Sequence, residues 1–380
     1  MKKALLASTA IVTAAALASP ASAADRIKLS LGGYMEQYIG FISPETDNST
    51  VQGNRRDLAN FDQQSDTEIW FSGSTTLDNG IKLAVRIELE GEASAASANY
   101  IDESWLDIQT AWGTLRLGAD DSVADLQSVE PRKGQDLPVS DYNNWIPTSF
   151  GSGVANGITT ADDAYVVRNS ADDNQILYLT PKIAGFQAGF SYAPDIGTGG
   201  RVATPNRGQG AASTTAATLN WDGKIGDFSI ATGYAYTHET GTGAAATAQG
   251  FVNHNVGMNV NFAGFGVGAN YGRQMEKNGF NGAGNTVASQ DGYNYKIGAW
   301  YIAGPMEVGY NHLVQVAQGD KTNSNHDKST VDGVFFDYTL SDGVIWESLL
   351  FHVNYDEEHN VDATEQSGGW GAVTGIVVKF

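Results

Sequence analysis

Two periodicities run through this chain, and together they leave few folds open to it. The first is alternation. In HNVGMNVNF, His254, Val256, Met258, Val260 and Phe262 fall on one face, and Asn255, Gly257, Asn259 and Asn261 on the other. GIKLAVRIELEGE sets Ile81, Leu83, Val85, Ile87 and Leu89 against Lys82, Arg86, Glu88 and Glu90. GYNYKIGAWY sets Tyr293, Tyr295, Ile297, Ala299 and Tyr301 against Asn294, Lys296, Gly298 and Trp300. A repeat of two residues is that of a β-strand whose faces meet different surroundings. One such stretch fits a half-buried strand of a soluble sheet equally well; recurrence from end to end does not.

The second periodicity is in the joins. Seven are tight: LDNGI, AWGT, PKIAGF, WDGKIG, FAGFG, AGPM and LSDGV. Clusters of Asp, Asn and Gly are hairpin signals. Eight are long and polar: 43–65, 91–98, 120–168, 193–212, 239–250, 277–290, 317–329 and 356–367. The two kinds alternate, and fifteen joins imply 16 strands. Short turns on one rim and long loops on the other predict an all-β fold, a 16-stranded antiparallel transmembrane β-barrel with short periplasmic turns and long external loops. One face then meets lipid and the other a polar lumen. Tyr234, Tyr236, Tyr293, Tyr301 and Tyr355 lie near strand ends, where interfacial girdles are expected, and Trp70, Trp105, Trp300 and Trp346 fall on faces assigned to the lumen.

The chain ends support the same reading. MKKALLASTAIVTAAALASPASA has a basic start, a short apolar stretch and an Ala21-Ser22-Ala23 site, which reads as a cleaved signal peptide over 1–23. The barrel is expected over 24–380. At the other end Trp370, Ala372, Thr374, Ile376, Val378 and Phe380 alternate up to a terminal aromatic. If the last strand closes the barrel, Phe380 sits at the lipid interface of the short-turn rim. No stretch after Ala23 has 18 consecutive apolar residues, so no transmembrane helix is expected. The 43 acids against 22 Lys and Arg make nucleic acid an unsuitable partner, and the absence of Cys removes disulfides and thiolate metal sites.

In layout the chain resembles the general bacterial porins of Gram-negative outer membranes, the 16-stranded trimeric kind. The resemblance is sharpest in WLDIQTAWGTLRLGADD (105–121), in NQILYLTPKIAGFQAGFSYAPD (174–195) and in the Phe-terminated last strand. It implies a passive water-filled channel in the outer membrane for small hydrophilic solutes and ions. It also implies a homotrimer in contact with lipid and lipopolysaccharide, and Phe380 as the signal read by the barrel-assembly machinery. The third external loop, 120–168, would fold inward and narrow the pore. Its acids Asp120, Asp121, Asp125, Glu130, Asp136 and Asp141 would then face wall bases at the matching positions Lys82, Arg86 and Arg116. Ala119 stands where many members carry a base, and SVEPRKG replaces the acidic Gly-rich turn of enteric members.

An excess of acids predicts weak cation selectivity. A solute-specific channel, for a sugar or another small nutrient, is the alternative that the luminal Trp residues raise. A barrel enzyme needs a nucleophile with a base; no G-x-S-x-G stretch occurs and the six His are scattered. No catalytic residue and no cofactor is expected. The acid pairs Asp120/Asp121 and Asp162/Asp163 are where a structural calcium could bind, although they lack the spacing of a calcium loop.

Overall fold

The structure, a computed structural model, describes residues 27–46, 59–91, 101–134, 142–146, 173–196, 213–240, 251–276, 291–317, 327–356 and 366–380. The expected signal peptide lies outside them. The strands are β1 (Lys28–Thr46), β2 (Phe61–Thr76), β3 (Lys82–Glu90), β4 (Ile101–Thr110), β5 (Gly113–Ala119), β6 (Asn174–Leu179), β7 (Phe186–Ala193) and β8 (Ser213–Ile225). They continue with β9 (Phe228–Thr240), β10 (Phe251–Phe262), β11 (Phe265–Glu276), β12 (Gly292–Ala303), β13 (Met306–Ala317), β14 (Asp327–Ser341), β15 (Val344–Asp356) and β16 (Gln366–Lys379). Two single-turn helices, α1 (Val123–Leu126) and α2 (Tyr142–Trp145), lie between β5 and β6.

Each strand pairs antiparallel with the next, and β16 pairs with β1, so the sheet is a closed barrel. Closure satisfies every edge, which a membrane requires because lipid offers no hydrogen bonds. Phe380 completes it: its N–H donates to the Gly33 carbonyl at 3.0 Å, and the Gly33 N–H donates back at 2.9 Å. The tight joins fall where the Asp/Asn/Gly clusters predict. At FAGFG both Ala263 (φ 49°) and Gly264 (φ 85°) are left-handed, the combination that matches a hairpin turn to the right-handed twist of its strands. Some strands are longer than the polarity of the sequence suggests. β1 runs to Thr46 and β2 starts at Phe61, inside the polar stretch 43–65. Above the lipid both faces are wet, so pairing continues without alternation.

The outward face is apolar and framed by two aromatic rows. Phe186, Phe228, Phe262, Phe265 and Phe380 mark the short-turn rim, and Tyr234 and Tyr271 the opposite one. Tyr236, Tyr293 and Tyr301 share the outward face. Two aromatics depart from expectation. Tyr355 points inward, is fully buried and donates to the Ile146 carbonyl at 2.9 Å. Trp346 points outward, 42% exposed, and donates to Thr374 Oγ1 at 2.8 Å. Both errors have one cause. The inner face of β15 carries Ile345, Leu349, Phe351 and Val353 in one apolar cluster, and Tyr142 of α2 packs on Phe351 and Tyr355. Apolar side chains on both faces erase the polarity signal.

Candidate functional site

The segment after β5 crosses the barrel interior. It leaves the wall at Asp120, forms α1 over β7, β8 and β9, and continues along the inner face of β10 to β14. Side-chain amides on the wall hold its backbone. Asn270 donates to the Val129 carbonyl at 2.8 Å, Asn259 to that of Glu130 at 2.6 Å, and Asn311 to that of Arg132 at 2.8 Å. Two ion pairs add to the seat: Lys296 with Glu130 at 2.6 Å, and Arg132 with both oxygens of Glu307 at 2.5 Å. Lys296 is 1% exposed, so Glu130 is its necessary counter-charge.

The wall beneath is shaped to receive this segment. A Cβ on Gly257 would collide with the Val129 carbonyl, one on Gly268 would stand 3.1 Å from Pro131 Cα, and one on Gly298 would stand 2.8 Å from Pro131 Cβ. The glycines on the polar faces of β10, β11 and β12 are where another backbone lies against the sheet. Beyond residues 135–141, α2 rests on β14 and β15, with Tyr142, Trp145 and Ile146 in one apolar cluster with Phe335, Phe351 and Tyr355.

The remaining wall, β2 to β5, is left open to the lumen and carries the charges. Lys82 is exposed near the short-turn rim. Arg86 ion-pairs with Glu88 and lies over the Trp70 ring, 4.1 Å from its centroid. Arg116 repeats the arrangement: it lies 3.6 Å over Trp105 and makes a two-bond fork to Asp107 at 2.7 and 3.0 Å. The two tryptophans are held alike. Trp70 Nε1 donates to Glu68 at 2.7 Å, and Trp105 Nε1 to Glu103 at 3.0 Å. Both sit in a Glu-x-Trp triplet, EIW and ESW, and Arg86 stands directly opposite Trp105.

The loop acids are distributed differently from a single row facing these bases. Asp120 is bonded to Arg116 at 2.8 Å, and burial raises its carboxyl above the ordinary range against the opposing pull of that guanidinium. Glu130 is engaged by Lys296 on the far wall. Asp121 and Asp125 are partly buried, beside and within α1. Asp136, Asp141, Asp162 and Asp163 lie outside the described residues. Among the described residues, Glu68, Glu90 and Asp102 form an acidic group whose oxygens lie within 4.8 Å of one another. Glu68 and Glu90 are directly opposite across β2 and β3. Like charges in that position destabilise a sheet. Sequence reading passed over Glu68, Asp102 and Glu103; the repeated Glu-x-Trp triplet was the available signal.

A closed barrel of this size, with aromatic rims and a loop narrowing its lumen, defines the class of outer-membrane channel barrels. Residues 7–362 match the family model described as Gram-negative porin, and the chain belongs to that family. Outer membrane porin protein 32 of Delftia acidovorans is 27% identical over 212 residues, 53% of either chain, so the match spans about half the length of that relative. The anion-selective porin from Comamonas acidovorans has a TM-score of 0.62 at 16% identity, covering 93% of this chain and 100% of that one. OmpT, an outer membrane protein of Vibrio cholerae solved in a trimer form, has 0.59 at 11%, covering 94% and 100%. At these identities the solved structures speak for the fold.

Proposed function

We propose that the protein is a passive diffusion channel for small hydrophilic solutes and ions, weakly selective for cations, and that it assembles as a homotrimer. One observation carries the selectivity. The luminal bases Arg86 and Arg116 are neutralised where they stand, by Glu88 and by Asp107 with Asp120. The carboxylates Glu68, Glu90 and Asp102 share one patch of the same wall, with oxygens within 4.8 Å of one another. A narrow, low-dielectric passage lined by net negative charge concentrates cations. The sign differs from that in the name of the porin from Comamonas acidovorans. Trimer formation is supported by the trimeric form in which the Vibrio cholerae relative was solved.

A sugar-specific track is disfavoured, because the faces of Trp70 and Trp105 are covered by the protein's own arginines. The test is planar-bilayer recording of detergent-extracted protein. Stepwise, ohmic openings are expected. Folded protein that gives no openings would remove the channel reading.

A further inference from the structure

The wall that seats the loop segment repeats one arrangement on successive strands. Asn220 on β8 stands directly opposite Gly233, Asn259 on β10 opposite Gly268, Asn270 on β11 opposite Gly257, and Asn311 on β13 opposite Gly298. Each asparagine lies across its glycine. A Cβ on Gly233, Gly268 or Gly298 would collide with the Oδ1 of Asn220, Asn259 or Asn311, and one on Gly257 would stand 3.0 Å from Asn270 Nδ2. Held flat in this way, each amide donates from Nδ2 to a main-chain carbonyl of the segment 127–132. Asn220 reaches that of Gln127 at 2.6 Å, and Asn270, Asn259 and Asn311 reach those of Val129, Glu130 and Arg132 at 2.8, 2.6 and 2.8 Å. The same orientation leaves the Oδ1 atoms of Asn220, Asn259 and Asn311 buried without a donor among the described residues. An unpaired buried acceptor is costly, so the donor end is the one the arrangement serves.

None of these bonds reads a side chain of the segment. They fix where its backbone runs, and with it how far it stands into the lumen. The charges of the segment are taken up in the same seat, Glu130 by Lys296 and Arg132 by Glu307. The guanidinium pairs and the clustered carboxylates that line the passage stand on the other wall, β2 to β5. Width and charge are thus assigned to different residues on different strands.

We infer that this channel sets its size limit and its ion preference independently: Asn220, Asn259, Asn270 and Asn311 are the positioning residues for the size limit, and the carboxylates of β2 to β4 govern the preference. The inference rests on the diffusion-channel reading. The test is planar-bilayer recording with uncharged polyethylene glycols of graded mass in the bath, and with the KCl reversal potential read in the same membranes. The variant carrying Asn259→Leu and Asn311→Leu keeps the side-chain size, adds no charge and removes two donors. Its segment, released from the wall, stands farther into the lumen, so the smallest excluded polymer should shift to lower mass while the reversal potential stays at the wild-type value. Glu68→Gln, Glu90→Gln and Asp102→Asn together should do the reverse. Asn261 separates positioning from packing: it stands opposite Gly266 in the same way, but its Oδ1 accepts from Trp300 Nε1 at 2.9 Å, and Asn261→Leu should leave the polymer limit unchanged. Asn220→Leu, at the α1 end of the segment, repeats the test if the double variant does not fold. An unchanged polymer limit in a folded variant would overturn the inference, as would an equal shift with Asn261→Leu or a variant that moves both readouts together. Wild-type protein without openings would remove the channel reading and the inference with it.

Discussion

At the scale of residues, the luminal wall carries one set of arginines paired with carboxylates and a second set of carboxylates clustered together. Arg116 belongs to the first. Its side chain is 19% exposed, and it compensates Asp107 and Asp120, whose side chains are 6% and 1% exposed. Arg116→Ala leaves two buried carboxylates beside each other. Loss of one partner from a buried pair costs about 3–5 kcal/mol, so the unfolding midpoint in urea should fall well below that of the wild type; an unchanged midpoint would mean that the fork does not hold the wall. Glu68, Glu90 and Asp102 belong to the second set. Glu68→Gln, Glu90→Gln and Asp102→Asn together should move the reversal potential in a KCl gradient toward zero without loss of the barrel. The sequence showed Lys82, Arg86 and Arg116 on the polar side of their strands, since β3 and β5 alternate cleanly. It hid Glu68 because β2 is polar on both faces from Asp62 to Glu68, and hid Asp102 behind the irregular pairing of β3 with β4.

At the scale of elements, the loop between β5 and β6 decides the pore, and the wall it lies on is as specific as the loop. Gly257 lacks the Cβ that would meet the Val129 carbonyl. Gly257→Ala should therefore lift the loop into the lumen and lower single-channel conductance, whereas a conductance equal to that of the wild type would show that the segment is not seated there. Glu130→Gln removes the counter-charge of the buried Lys296. Its expected signature is an increase in open-channel current noise, read in the same recordings. Hairpins and strand order were legible throughout, because each tight join carries its own turn residues. The inner face of β15 was not. At Phe351 and Tyr355 it is covered by α2, which arrives from some 200 positions earlier in the chain, as the Tyr355–Ile146 hydrogen bond shows with its separation of 209 residues. Local alternation holds no record of such a contact.

At the scale of the whole molecule, closure and charge account for the behaviour proposed. A 16-stranded closed sheet encloses a lumen wide enough for water even with a loop inside it. A formal charge of −21 biases what enters. The proposed homotrimer should run as a single species of three protomer masses in multi-angle light scattering of the detergent-solubilised protein, and a monomeric mass would contradict that assembly. In the proposed channel the clustered carboxylates on β2 to β4 outweigh arginines that are already paired. The most direct measurement is the reversal potential of the wild-type channel across a KCl gradient in a planar bilayer. A potential of the sign set by K⁺ permeation is the predicted result; one set by Cl⁻ would mean that Lys82, Arg86 and Arg116 govern the pore, and would contradict the account.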